Sequence, residues 1–95
     1  MEKKTSADKY LYISAAALES AGEAEYFFKV LCTEKETQLI AQRLYVAKLL
    51  SENRVYSDIV KETGASSATV SRVKRAMATD RKYFTKLLSK LNEQL

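Results

Sequence analysis

The sequence predicts an all-α fold of about six helices, and three observations carry that expectation. Proline is absent from the 95 residues and glycine occurs only at Gly22 and Gly64, so residues that break helices are scarce. No stretch alternates polar and apolar residues over strand length, whereas apolar residues recur at three- and four-residue intervals. Finally, Tyr56 to Met77 reads as two short helices joined by a glycine turn, the pattern of a helix-turn-helix. Nothing resembles a linker, a repeat or a low-complexity segment. Residues 1–95 are therefore read as one domain with a modest core.

The first helix is expected over about residues 6–20, with Tyr10, Leu11, Ile13, Ala17 and Leu18 as a wide apolar set and Gly22 as its stop. A second helix over about 23–31 places Ala24, Phe27, Phe28 and Leu31 at i, i+3, i+4 and i+7, the spacing of a core face. Thr33 and Glu36 fit a capping box that opens a third helix, extending to about Ser51. Its apolar residues Leu39, Ile40, Leu44, Val46, Ala47, Leu49 and Leu50 cover more than one stripe. Either a partner chain covers the surplus or this helix is the centre of a monomer core, and the pattern leaves both open.

The polar turn Glu52-Asn53-Arg54 leads into the two hairpin helices, about 56–63 and 66–78. Ile59 and Val60 supply the buried side of the first. Gly64 follows four residues after Val60, where the turn needs a residue that accepts positive φ. Val70, Val73 and Met77 form one face of the second hairpin helix, and Ser66 is placed to cap it. The last helix begins near Thr79 or Asp80. It presents Tyr83, Phe84, Leu87, Leu88, Leu91 and Leu95 in a stripe backed by Lys82, Lys86 and Lys90.

Composition narrows the function. Histidine is absent, and the single cysteine, Cys32, lies between Leu31 and Thr33, as a core filler would. With no cysteine cluster and no paired acids, neither metal binding nor acid–base catalysis has a visible carrier. The chain is read as a non-enzyme without cofactor. The charged N-terminus lacks the apolar run of a signal peptide, and no segment is apolar enough to span a bilayer, so a cytoplasmic location is expected.

The net charge is +4, and it is unevenly spread: residues 1–53 hold seven Lys or Arg against eight acids, residues 54–95 nine against four. Positive charge thus belongs to the half that carries the hairpin, as expected of a surface that meets phosphates. From Ser66 to Thr79 the chain contains Arg72, Lys74 and Arg75 and no acid. Small residues at the start of this helix would allow close approach to a groove. Membrane-surface binding is disfavoured, because the basic helix lacks the bulky apolar face that interfacial insertion needs.

The runs LCTEKETQLIAQRLYVAKLL at 31–50 and TGASSATVSRVKRAM at 63–77 resemble the Trp-repressor superfamily, in its TrpR-like branch (the YerC/YecD type). Gly64-Ala65-Ser66-Ser67-Ala68-Thr69-Val70-Ser71-Arg72 is similar to that family's G-A-x-x-A-T-[IV]-[ST]-R run, and Val73-Lys74-Arg75 is typical of the TrpR-like branch. The resemblance covers about residues 23–78. It implies six helices in an interlocked homodimer, with two recognition helices entering successive major grooves of double-stranded DNA at a near-palindromic site. The implied role is transcription regulation, as a repressor that occupies its site. Carried over by position, Ser67, Ala68 and Thr69 would approach base edges, and Arg72 and Arg75 bases or phosphates. Ser66, Ser71 and Lys74 complete the candidate DNA-binding set, with Lys74 projecting toward a phosphate or solvent.

Two departures matter. Arg43 and Arg72 match the arginines that hold tryptophan in the repressor, and so are candidates for an effector pocket. However, the repressor's Arg-Gly-Ser-Asn-Ser becomes Arg72-Val73-Lys74-Arg75-Ala76. A branched side chain replaces the glycine that makes room for the indole, and the receiving serine is Ala76, so tryptophan binding is not expected. Arg43 is read as an ion-pairing or helix-packing residue rather than a ligand clamp. The family also opens its first hairpin helix with a capping Ser or Thr, where this chain has Val55, with Ser57 the nearest substitute. The alternatives from other classes are a helical protein-interaction module whose basic face meets an acidic protein, and a non-specific architectural nucleic-acid binder.

Overall fold

The computed structural model describes the backbone of residues 2–94, with side chains from Ser6 to Gln94. Leu95, the last member of the apolar stripe expected on the final helix, lies outside the described residues. Six helices and no strand occur among the described residues: α1 (Glu2–Ala16), α2 (Ala21–Leu31), α3 (Glu34–Ser51), α4 (Tyr56–Thr63), α5 (Ser67–Ala78) and α6 (Arg81–Asn92). The chain falls into two compact units, one ending at Thr37 and one starting at Gln38.

In the first unit, the boundary between α1 and α2 differs from the sequence expectation. α1 stops at Ala16 rather than near Ser20, and Gly22 sits inside the first turn of α2 instead of ending α1. The cause is a capping serine. Ser20 is the N-cap of α2, its Oγ accepting from the Glu23 N–H at 3.1 Å, while Glu23 Oε1 accepts from the Glu19 N–H at 2.8 Å. These bonds fix two otherwise free donors where a non-helical glycine would have fixed none. The expected core face of α2 is also different in kind. Ala24, Phe27 and Phe28 are half-buried, the two rings meeting edge to face at 5.7 Å, but no residue of α2 is fully buried. Tyr26, Val30 and Leu31 are each more than half exposed, as are Tyr10, Tyr12 and Ile13 on α1.

α3 opens with the expected capping box. The Glu36 N–H donates to Thr33 Oγ1 at 3.1 Å, and the Thr33 N–H to Glu36 Oε1 at 2.8 Å. These bonds hold the exposed Glu36 carboxyl below the usual carboxylate range, the backbone N–H of Thr33 contributing most. Further along, the apolar set of α3 divides in two. Val46, Ala47, Leu49 and Leu50 are buried in the core of the second unit, whereas Leu39, Ile40 and Leu44 remain exposed. α3 ends with Asn53 at φ 61°, and the Arg54 N–H reaches back to the Leu49 carbonyl at 3.2 Å. That is a left-handed helix stop built on asparagine.

The core of the second unit joins those four residues to Ile59, Ala65, Val70 and Met77, with Val60, Val73 and Phe84 packed against it. Val46, Ile59 and Val70 are completely excluded from solvent. α5 packs against both α4 and α6, and α6 adds Leu88, buried, while Tyr83, Leu87 and Leu91 stay open. α4 starts at Tyr56 with Val55 as its N-cap and no side-chain capping bond. It ends at Gly64, whose φ of 75° and ψ of 4° are left-handed. The Thr63 side chain ties the turn together, donating to the Ile59 carbonyl at 2.7 Å and accepting from the Ala65 N–H at 3.1 Å. Gln42 Nε2 donates to the Thr63 carbonyl at 3.2 Å, which anchors the turn to α3.

Candidate nucleic-acid interface

The helix-turn-helix comprises α4, the Gly64 turn and α5. Asp80 caps α6 just beyond it, accepting from the Tyr83 N–H at 3.3 Å. α5 is fixed at its start by Ser66, whose Oγ accepts from the Thr69 N–H at 3.1 Å and whose hydroxyl donates to Thr69 Oγ1 at 3.0 Å. Two of the sequence candidates therefore use their side chains on each other. Ser66 is exposed with its hydroxyl engaged in capping, and Thr69 is half-buried beside it. Ser67 and Ala68 are exposed in the first turn.

At about 100° per residue, Ala68, Ser71, Arg72 and Arg75 share the side of α5 opposite Val70 and Met77. Ser71 is half-buried, while Arg72 and Arg75 are open to solvent. No carboxylate lies on α5, so this face is uniformly non-negative. Its basic residues come one turn or more after the cap, which leaves the first turn small and close to the backbone.

Lys74 leaves this face for the flank beside α4, where its Nζ lies 5.5 Å from the centre of the Tyr56 ring. That flank is concave. A cavity of about 310 Å³ is lined there by Asn53, Arg54, Tyr56, Lys74 and Arg81, with Leu50 and Met77 as its apolar floor. Arg54 and Arg81 were not among the sequence candidates. Arg54 pairs with Glu62 at 2.7 Å, and Glu62 also accepts from the Tyr45 hydroxyl at 3.1 Å, which raises the tyrosine's pKa. Lys74 and Arg81 form no ion pair among the described residues.

The opposite flank of α5 holds a larger open cavity of about 550 Å³, mostly apolar, between α3, α5 and α6. Arg43 and Arg72 both line it, so the two arginines named from sequence come to one place. Val73 and Ala76 line it too, together with Tyr83 and Phe84. Among the described residues no group of three or more His, Cys, Asp or Glu could hold a metal ion, and no helix is long and apolar enough to cross a membrane.

Comparison with known proteins agrees with this architecture. The family model described as Trp repressor protein matches residues 9–92. YerC of Bacillus subtilis is 49% identical over 67 residues, 70% of this chain, and the chain spans 64% of the length of YerC. A TrpR-like protein from Eubacterium eligens superposes with a TM-score of 0.85 at 37% identity, over 96% of this chain and 94% of that one. A solved protein from Staphylococcus aureus gives 0.83 at 39% identity, over 92% and 87%. The helix-turn-helix, the six-helix order and the match across nearly the whole chain have one conclusion: this protein belongs to the Trp repressor family.

Proposed function

We propose that the protein is a homodimeric, double-stranded-DNA-binding transcription regulator that reads a near-palindromic site in the major groove and represses by occupying it. One observation carries this reading: α5 is anchored by Val70 and Met77 while its outer side carries Ala68, Arg72 and Arg75 with no acid from Ser66 to Thr79. A helix so held can enter a groove as a rigid body, its small N-terminal residues against base edges and its arginines against bases or phosphates. Ser67 and Ala68 are the residues open to bases. Ser66 and Thr69 shape the helix start, and Ser71, Arg72, Lys74 and Arg75 extend the contact along it.

The dimer is supported by apolar surface that the single chain leaves uncovered. Tyr26, Val30 and Leu31 on α2 and Leu39, Ile40 and Leu44 on α3 are each more than 40% exposed. A second copy would cover such faces and set two α5 helices one turn of DNA apart, roughly 34 Å. Tryptophan is not the trigger in this reading. Val73 and Ala76 line the cavity shared by Arg43 and Arg72, and they put a branched side chain and no hydroxyl at the positions where the resemblance to the repressor implies room for the indole and a receiving serine. A cytoplasmic location is part of the same proposal.

Selection of bound duplexes from a random pool tests the function directly. The expected result is a two-fold symmetric motif preferred over random duplex by about 10³ or more. Equal affinity for all duplexes would reduce the protein to a non-specific binder, and no binding would reject the reading. A 10.8 kDa species by light scattering at micromolar concentration would reject the dimer.

A further inference from the structure

We infer that the concave notch beside α4 is a seat for one DNA-backbone phosphate, built by Lys74 and Arg81 with Arg54 at its edge. This inference rests on the DNA-binding reading above and adds residues that the recognition helix alone does not supply. Three separate parts of the fold deliver the cations: the turn after α3, the middle of α5 and the first turn of α6. No acidic residue lines the notch. Asn53 and Tyr56, whose side chains can donate, also line it, in keeping with a ligand that offers several acceptor oxygens.

Position relative to α5 selects the backbone of DNA over other anions. Lys74 and Arg72 are two residues apart, which places them about 160° apart around the helix axis. A helix lying in the major groove has a sugar–phosphate strand along each flank. Arg72 serves one flank and Lys74 the other, and the notch extends the Lys74 flank outward through Arg81. Tyr56 fixes the lysine there: the ring under Nζ at 5.5 Å holds the ammonium over the notch. Arg54 is shared with Glu62 and makes the smaller contribution.

The test compares the native chain, Lys74→Ala/Arg81→Ala and Ser67→Ala on a selected duplex and on random duplex over a range of salt. Both cations are exposed, so the double variant should melt like the native chain. Each phosphate seat removed lowers the slope of log K against log salt by about 0.9, hence about 1.8 for the two seats of a dimer. Between about 50 and 200 mM salt the double variant should therefore lose about 12-fold less affinity than the native chain. Its preference for the selected duplex should not change, whereas Ser67→Ala should lower that preference.

Ethylation of single phosphates should show one position per half-site that weakens the native chain and leaves the double variant unaffected. A native chain with a steep slope and a double variant with the same slope would overturn the notch alone. Saturable binding of inorganic phosphate to the native chain, with unchanged slope in the variant, would assign the notch to a free anion and equally overturn it. A native chain that binds no duplex would overturn the regulator reading and the notch together.

Discussion

One pair of substitutions can separate the capping role of Ser66 from the DNA-facing role proposed for it. Its oxygen caps α5 through the Thr69 N–H at 3.1 Å, and it stands at the end of α5 proposed to face DNA. Ser66→Ala removes the acceptor and leaves Thr69 Oγ1 without its donor, so it should cost about 1 kcal/mol of stability. In a domain of this size that lowers the melting temperature by roughly 4–8 °C at fixed protein concentration. Ser66→Asp keeps an N-cap of equal quality and adds a negative charge at the positive end of the helix, worth about 0.3–1 kcal/mol in its favour. It should melt at or above the native temperature. On DNA the same charge works the other way. A carboxylate about 6 Å from a phosphate is repelled by about 0.7 kcal/mol even at the dielectric of water, and two half-sites double this to about 1.4 kcal/mol, a tenfold loss of affinity as a minimum. The loss should shrink as salt is raised, because the Debye length falls. Thermal melts and duplex titrations on the two variants check both halves. If Ser66→Asp bound duplex as tightly as the native chain, the start of α5 would not face phosphate, and the docking geometry would be wrong.

Three further outcomes follow from local geometry. Gly64→Ala should destabilise by about 1–2 kcal/mol, purely through its left-handed φ of 75°, since an added Cβ would meet nothing closer than Gln42 Nε2 at 3.9 Å. Gly64→Asn should lose less, and equal losses in melting temperature would refute that account. Calorimetry with L-tryptophan should give no binding heat for the native chain, while Val73→Gly combined with Ala76→Ser should gain weak binding; micromolar affinity of the native chain would show that Val73 does not block the cavity. The carboxyl of Glu36 has a folded pKa below its reference of 4.5, so its contribution to stability is present above that value and lost as pH falls through the folded pKa. Glu36→Gln should remove this acid-side dependence, and melts recorded between about pH 3 and 6 on both proteins would reveal an unchanged profile if the capping box were not its source.

The helix-turn-helix is legible in the sequence because each of its determinants is local. A glycine four residues after Val60 supplies the left-handed turn, Ser66 caps the next helix, and Val70 and Met77 recur at helical spacing into a core that accepts them. The α1–α2 boundary is less legible because two signals compete within three residues. Gly22 reads as a stop, Ser20 with Glu23 as a start, and the start prevails because it satisfies backbone donors. Periodicity showed that α2 has an apolar face but not what covers it, and within the single chain no residue of α2 is fully buried. The α3 pattern was ambiguous for the same reason: Val46 and Leu49 turn inward while Leu39 and Leu44, on the same helix, do not. Arg54, Lys74 and Arg81 are spread over 28 positions, so only the packing of α4 and α6 on α5 brings them to one notch. A count of positive charge could place cations in this half of the chain but not in one hollow.

The distribution of burial also separates two roles that a dimeric regulator must combine. The core behind α5 comes entirely from its own chain, running from Val46 on α3 through Ile59 and Ala65 to Met77. Within the single chain, α5 is thus packed by residues of α3, α4 and the Gly64 turn. What a single chain leaves unfinished is apolar surface elsewhere, on α2 and on the first half of α3. In the proposed assembly the second copy then sets the spacing between two preformed heads rather than the form of either. A chain kept monomeric should retain a folded α5 and weak, half-site contact with DNA. It would lose the gain that comes from making the second contact intramolecular, a factor of about 10² to 10⁴. Specificity for a single half-site would survive that loss, and recognition of the spacing between half-sites would not.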